Sequence, residues 1–301
     1  MSTPNQVDIH SITTFKNKFK TIGNIDIAYK EEGQGDVIFC LPPWPSGSTA
    51  FTPFIHALKD NFRIIALDLP GWAGYSGKMT LNPSIDNYTT IVEDFISSFN
   101  VKDYTLLGYS FGGALVQSLV ERGNTKPKKL IFVSTLHSGN EINTKFYKLL
   151  RVYKFVSKFK IVSPIKKQLF GAFFLGGRVV GSSYYKKYLR TAFYKQLIKE
   201  RLRANIDKIF GAMFSLFHSE YIDPIEKNFD CLVMYADADP EFIKSETIEM
   251  AKYIGCEPTV IQNADHDHFT FDVNKSTQII QDFLQQKDTT LEKVKKIFTS
   301  L

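Results

Sequence analysis

Ser110 stands in Gly108-Tyr109-Ser110-Phe111-Gly112-Gly113, between an apolar run (Tyr104–Leu107) and an amphipathic stretch (Phe111–Arg122). Glycines on both sides let a chain turn sharply from strand to helix, which lifts a serine hydroxyl to the tip of a sheet. The helix that follows puts its positive end, and the N–H of Phe111, beside any negative charge forming there. A hydroxyl is a weak nucleophile until a base removes its proton and a carboxylate orients that base. Both partners come later in the chain. Ala236-Asp237-Ala238-Asp239-Pro240 follows the apolar run Cys231–Tyr235, and Ala264-Asp265-His266-Asp267-His268-Phe269 follows Val260-Ile261. Asp237 or Asp239 can supply the acid, and His266 or His268 the base. The chemistry within reach is nucleophilic attack on a carbonyl carbon.

Such a constellation needs parallel strands ending side by side. Apolar runs alternate with amphipathic stretches in the manner of βα units, which predicts an α/β fold on a mostly parallel sheet flanked by helices. Eight strands are expected, at Phe15–Lys20, Ile25–Lys30, Val37–Leu41, Arg63–Leu67, Tyr104–Leu107, Lys129–Val133, Cys231–Tyr235 and Glu257–Ile261. Helices are expected over Ser48–Leu58, Ile85–Phe99 with Ser84 as N-cap, Phe111–Arg122 stopped by Gly123, Glu241–Tyr253 and Asn274–Gln286. Leu291, Val294, Ile297, Phe298 and Leu301 have helical spacing, so a terminal amphipathic helix is expected there.

The alternation breaks between Glu141 and Asp223. From Glu141 to Glu220 there are 17 basic and 4 acidic residues, a net of +13, although the whole chain of 301 residues carries only +6. This marks a helical, basic and aromatic insertion. The expected division is a core of 1–138 and 224–301 with a cap at 139–223. Charged residues at 23% and aromatics at 14% exclude a disordered or coiled-coil architecture. Cys40, Cys231 and Cys256 are too few and scattered for a disulfide framework and read as buried apolar residues of a reducing compartment. No signal-peptide pattern opens the chain and no run approaches a bilayer span, so a cytoplasmic location is expected. Asp265, Asp267 and Asp272 with His266 and His268 match no standard metal-ligand spacing.

Taken together, Ser110, the later acid and the last histidine follow the order Ser, Asp, His. Over roughly Ile25 to Gln286 the chain resembles serine hydrolases of the α/β-hydrolase fold superfamily, esterase- or lipase-like, with a helical cap inserted after the sixth strand. The resemblance maps the acid to Asp239, three residues past Ala236 and directly before Pro240, and the base to His266. Asp68-Leu69-Pro70-Gly71-Trp72-Ala73-Gly74-Tyr75-Ser76 is similar to the family's loop after the fourth strand, with one extra residue. The loop after the third strand departs from the usual His-Gly start and reads Leu41-Pro42-Pro43-Trp44-Pro45-Ser46-Gly47. Proline has no N–H, so the resemblance leaves Trp44 and Phe111 as backbone donors to an oxyanion.

What the resemblance implies is hydrolysis of a carboxylic ester of a hydrophobic, acyl or lipid-like small molecule through an acyl-enzyme, with no organic or metal cofactor. Epoxide hydrolases and haloalkane dehalogenases of this fold place Asp where Ser110 stands. Peptidase, thioesterase, lactonase, C–C hydrolase and acyltransferase chemistry share the triad, and a catalytically silent binding protein is the reading from another class. The +13 segment reads as a cap with an apolar inner face over the active site and a solvated basic outer face, or as a surface for peripheral contact with an anionic membrane. No nucleic-acid-binding motif is present, so no nucleic-acid partner is expected.

Overall fold

The computed structural model describes residues 2–73, 75–137, 145–156, 183–218 and 229–286. Eight strands form one sheet: β1 (Lys18–Ile22), β2 (Ile25–Glu32), β3 (Asp36–Leu41), β4 (Phe62–Leu67), β5 (Tyr104–Tyr109), β6 (Lys129–Val133), β7 (Asp230–Ala236) and β8 (Thr259–Ile261). Their spatial order is β1-β2-β4-β3-β5-β6-β7-β8. β2 pairs antiparallel with β1 and β4, and every pairing from β4 to β8 is parallel. The central strands are buried on both faces, which is why they read as unbroken apolar runs. The order reverses direction at β3, so the loops after β5, β6, β7 and β8 open in sequence along one edge of the carboxyl end.

Helices cover both faces. α2 (Ile85–Ser97), α3 (Phe111–Arg122) and α8 (Glu241–Ile254) pack Val92, Phe95, Leu115, Leu119 and Met250 into one core with Phe39, Leu106 and Phe132. On the other face α1 (Thr52–Leu58) and α10 (Asn274–Gln285) bring Phe54, Ile55 and Ile280 against Ile38, Leu107 and Ile131. Ser84 caps α2 by accepting the Asn87 N–H at 3.2 Å, an interaction worth about 1 kcal/mol. Gly123 ends α3 at φ 70°, the left-handed conformation that only glycine adopts without strain.

Between β6 and β7 come α4 (Lys145–Val156), α5 (Tyr184–Tyr188), α6 (Ala192–Arg203) and α7 (Ile206–Leu216), with no strand among the described residues of this stretch. They rest on the loops after β3 and β4. Thr49 donates to buried Glu200 at 2.9 Å, Arg201 Nε donates to Ser46 at 2.8 Å, and the Asn205 N–H reaches Gly71 O at 2.8 Å. Buried Lys30 and Asp68 lie close enough to Glu200 to bias its charge. These contacts bind the helical segment to the sheet's carboxyl end. No helix among the described residues is long and apolar enough to cross a membrane.

Several boundaries differ from the sequence expectation. The first strand starts at Lys18 rather than Phe15, and it is an edge strand with little burial to give it a pattern. Ser48–Leu58 is a 3-10 turn (Ser48–Phe51) followed by α1 rather than one helix, with Pro53 in the first turn of α1. The expected terminal helix over Leu291–Leu301 lies outside the described residues, as do 139–144, 157–182 and 219–223 of the expected cap and 138 and 224–228 of the expected core. Cys40 is buried as expected, whereas Cys231 and Cys256 are only half-buried.

Candidate active site

β5 does not stop at Leu107. Gly108 and Tyr109 continue the ladder, opposite Phe132 and Val133, and the turn begins at Ser110 itself. Ser110 holds φ 52°, ψ −116°, a strained backbone for a residue with a side chain, and its Oγ is thereby turned out of the strand direction. The turn is tight enough to require glycine at two places. A Cβ on Gly108 would lie 2.6 Å from the Gly112 carbonyl, and one on Gly112 would collide with the Leu41 carbonyl. The second contact also sets the loop after β3 against the start of α3.

Ser110, His266 and Asp239 meet in one hydrogen-bonded chain. His266 Nε2 lies 3.1 Å from Ser110 Oγ, and His266 Nδ1 lies 2.7 Å from Asp239 Oδ1. All three residues are buried. Each comes from the loop following a different strand, namely β5, β7 and β8, so the sheet order brings together residues separated by up to 156 positions. An ionised carboxylate only accepts, so Nδ1 carries the imidazole proton and the Nε2 lone pair faces the serine hydroxyl.

Asp239 is held on both oxygens. Its Oδ2 accepts from Ser134 Oγ at 2.7 Å and from the Ala236 N–H at 2.8 Å. Burial works against its charge, yet the His266, Ser134 and Ala236 bonds keep its carboxyl below the usual carboxylate range. Burial likewise opposes a charge on His266, but the bond to Asp239 and the carboxylates of Asp239, Asp267 and Asp265 raise its pKa above the ordinary value. Tyr109 Oη donates to the His266 carbonyl at 2.5 Å and fixes the backbone that carries the ring.

The alternatives have other partners. Asp237 accepts the Ala264 and Asn263 N–H groups at 2.9 and 2.8 Å, and these bonds lower its carboxyl pKa, so it staples β7 to the segment leaving β8. His268 is fully buried against the Asp265 carbonyl, 3.0 Å from Nδ1, and burial pushes its pKa down to about 4. Phe111 is the first residue of α3, where a helical N–H has no intrahelical acceptor. Trp44 lies in the loop after β3, half-buried, with its indole Nε1 donating to Ile209 O at 2.6 Å and its ring edge-on to Phe210. The other histidines stand elsewhere: His10 against Tyr188, His56 against Phe15, His137 with Gln117, and His218 with the Phe214 carbonyl. No group of three His, Cys, Asp or Glu residues among those described could hold a metal ion.

Two partners were missing from the sequence reading. Ser134 follows β6, the neighbour of both β5 and β7, and only that strand order makes it a partner of Asp239. Tyr109 sits one residue before Ser110, and its ring packs with Phe51 and Phe269, from where its hydroxyl reaches the His266 carbonyl.

Known proteins share this frame. The family model for the alpha/beta hydrolase fold matches residues 36–158. A non-heme chloroperoxidase of Kitasatospora aureofaciens is 28% identical over 106 residues, which cover 35% of this chain and 38% of that protein. An uncharacterized protein of Mycobacterium tuberculosis is 26% identical over 129 residues, and there too the match spans 38% of the relative. An esterase from Exiguobacterium antarcticum superposes over 91% of this chain and 100% of its own, with a TM-score of 0.71 and 16% identity. At that identity the likeness speaks for the fold alone, and it agrees with the eight-strand order. The chain has the α/β-hydrolase fold.

Proposed function

We propose that this protein is a serine hydrolase that cleaves a carboxylic ester of a hydrophobic substrate through an acyl-enzyme. The observation that carries the reading is the buried chain Asp239–His266–Ser110, with Ser110 held in a strained elbow at the head of α3. In the first half-reaction Ser110 Oγ bonds to the ester carbonyl carbon while His266 Nε2 takes the hydroxyl proton. Asp239 holds the imidazolium by its Nδ1–H. The carbonyl oxygen becomes an oxyanion that the backbone N–H groups of Phe111 and Trp44 stabilise. Collapse breaks the bond to the alcohol oxygen, which leaves with the proton from His266. Water then repeats the sequence on the acyl-serine, giving the free acid and restoring Ser110.

Several features support a hydrophobic ester. The helical segment over the sheet's carboxyl end brings Trp44, Tyr153 and Phe210 together, with Tyr153 stacked on Phe210 at 4.3 Å. A serine at the elbow argues against the aspartyl-ester route of the epoxide hydrolases and haloalkane dehalogenases. Residues 139–223 act as a cap on the core formed by 1–138 and 224–301. Its exposed Lys148, Arg151, Lys154, Lys186, Lys187 and Arg190, with exposed Val152, support peripheral contact with an anionic membrane surface.

A second reading is favoured by one observation. Pro42, Pro43 and Pro45 surround Trp44 and cannot donate, so the oxyanion site rests on few N–H groups. If Trp44 does not serve, the protein is a binding protein on a hydrolase frame. Labelling by a fluorophosphonate probe separates the two: wild type labels and Ser110→Ala does not if the enzyme reading holds. No labelling of either protein supports the binding reading.

A further inference from the structure

Asp265, immediately before His266, is buried and spends both carboxylate oxygens. Its Oδ2 accepts from the N–H and the hydroxyl of Ser183 at 2.7 and 2.9 Å, across 82 residues of chain. Its Oδ1 accepts the Asp267 N–H at 3.1 Å, and its carbonyl accepts the His268 N–H at 2.9 Å. Ser183 is the residue that enters α5, so one carboxylate joins the loop bearing the histidine to the helical segment between β6 and β7.

Two further contacts reinforce this seam. Tyr184 Oη donates to Asp272 Oδ2 at 3.2 Å, and Tyr188 stacks on Phe271 with ring centroids 5.7 Å apart and planes 9° from parallel. Phe271 ends α9 (His268–Phe271), the short helix that directly follows His266. The helical segment thus grips both ends of the α9 turn, with Asp265 as the polar grip and Phe271 as the apolar one.

We propose that Asp265 is a positioning residue: by holding Ser183 it seats the helical segment on the His266 loop and keeps the imidazole in register with Ser110. The proposal rests on the hydrolase reading for its catalytic consequence, but not for the coupling itself. A shift of His266 by a fraction of an ångström lengthens the 3.1 Å contact to Ser110, so seating of the helical segment and reactivity of the serine are linked. The same carboxylate lies among the charges that act on His266. These are Asp239 from the loop after β7 and Asp265, Asp267 and His268 in its own loop; Tyr109 on β5 lies against the ring, and Tyr184 and Tyr194 from the helical segment face the neighbouring carboxylates.

The test uses the full chain and the variants Asp265→Asn, Asp265→Ala and Ser183→Ala. The His266 imidazole is titrated by NMR, which needs no turnover, and Ser110 reactivity is read as the rate of fluorophosphonate labelling. Asp265→Asn keeps an acceptor for Ser183 but loses the charge, so the His266 midpoint moves to lower pH while labelling at high pH stays near wild type. Ser183→Ala keeps the charge and the backbone N–H bond but loses the hydroxyl bond, so labelling slows, by less than in Asp265→Ala, with the midpoint unmoved. Asp265→Ala loses the charge and both bonds, and labelling at high pH falls roughly 10- to 100-fold. The proposal is overturned if Asp265→Ala and Ser183→Ala label at the wild-type rate, or if the midpoint is the same in Asp265→Asn and wild type. Wild type that folds but never labels overturns the hydrolase reading instead, and the NMR midpoints still decide whether Asp265 acts on His266.

Discussion

Ser134 Oγ donates to Asp239 Oδ2 at 2.7 Å, which leaves Oδ1 of the same carboxylate to His266. Ser134 reaches this position at φ 45°, a second strained residue one strand away from Ser110. Each strained residue makes a polar contact in the site, Ser110 with His266 and Ser134 with Asp239. Ser134→Gly relaxes the backbone and removes the hydroxyl. Melting temperature is therefore expected to hold, while kcat/KM for an ester falls about 10-fold, the size of one charge-assisted bond of roughly 1.5 kcal/mol. Unchanged kcat/KM would remove Ser134 from the account.

The two acids after β7 are expected to separate by readout. Asp239→Asn offers an amide N–H where the imidazole needs an acceptor, so kcat is expected to fall roughly 10⁴-fold with the fold intact. Asp237→Asn loosens the staple on Asn263 and Ala264 and is expected to lower the melting temperature while leaving kcat within a few-fold of wild type. A kcat loss confined to Asp237→Asn would reverse the assignment.

Acid stability carries opposite signs at the two neighbouring histidines. His268 has a folded-state pKa of about 4, below its unfolded value near 6.5, so the unfolded chain binds more protons as pH falls. Stability is therefore lost between about pH 6.5 and 4 on its account. His266 is raised, so its contribution is present below the unfolded value and lost as pH rises through the folded one. His268→Gln removes only the first effect and keeps a donor for the Asp265 carbonyl. Its melting temperature should vary less steeply with pH across that window, as followed by circular dichroism, and a slope equal to wild type would contradict the burial argument.

The net +13 over Glu141–Glu220 predicts retention on vesicles rich in phosphatidylserine at low salt and release at high salt. Neutral phosphatidylcholine vesicles should retain much less. Equal retention by the two compositions in a sedimentation assay would exclude an electrostatic membrane contact.

Most of the fold was legible because its central strands are buried on both faces. Lys129–Val133 and Phe111–Arg122 have the same bounds in sequence and structure, since an apolar run and a Gly123 stop are local signals. Signals failed where a glycine had two meanings: Gly108 reads as a turn residue but lies inside β5, its missing Cβ making room for α3 rather than bending the chain. Ser110, Asp239 and His266 could be paired because each follows a strand. Ser134 and Ser183 could not, because nothing near them in sequence says which carboxylate they will meet. Asp265 entered the sequence reading as part of an Asp and His cluster without metal-ligand spacing, for the same reason.

The most direct test of the central claim is hydrolysis of p-nitrophenyl esters of increasing acyl length by wild type and by Ser110→Ala under identical conditions. The account predicts turnover by wild type, a preference among acyl lengths set by the space under the helical segment, and loss of that turnover in Ser110→Ala. Turnover that survives in Ser110→Ala would contradict the serine mechanism.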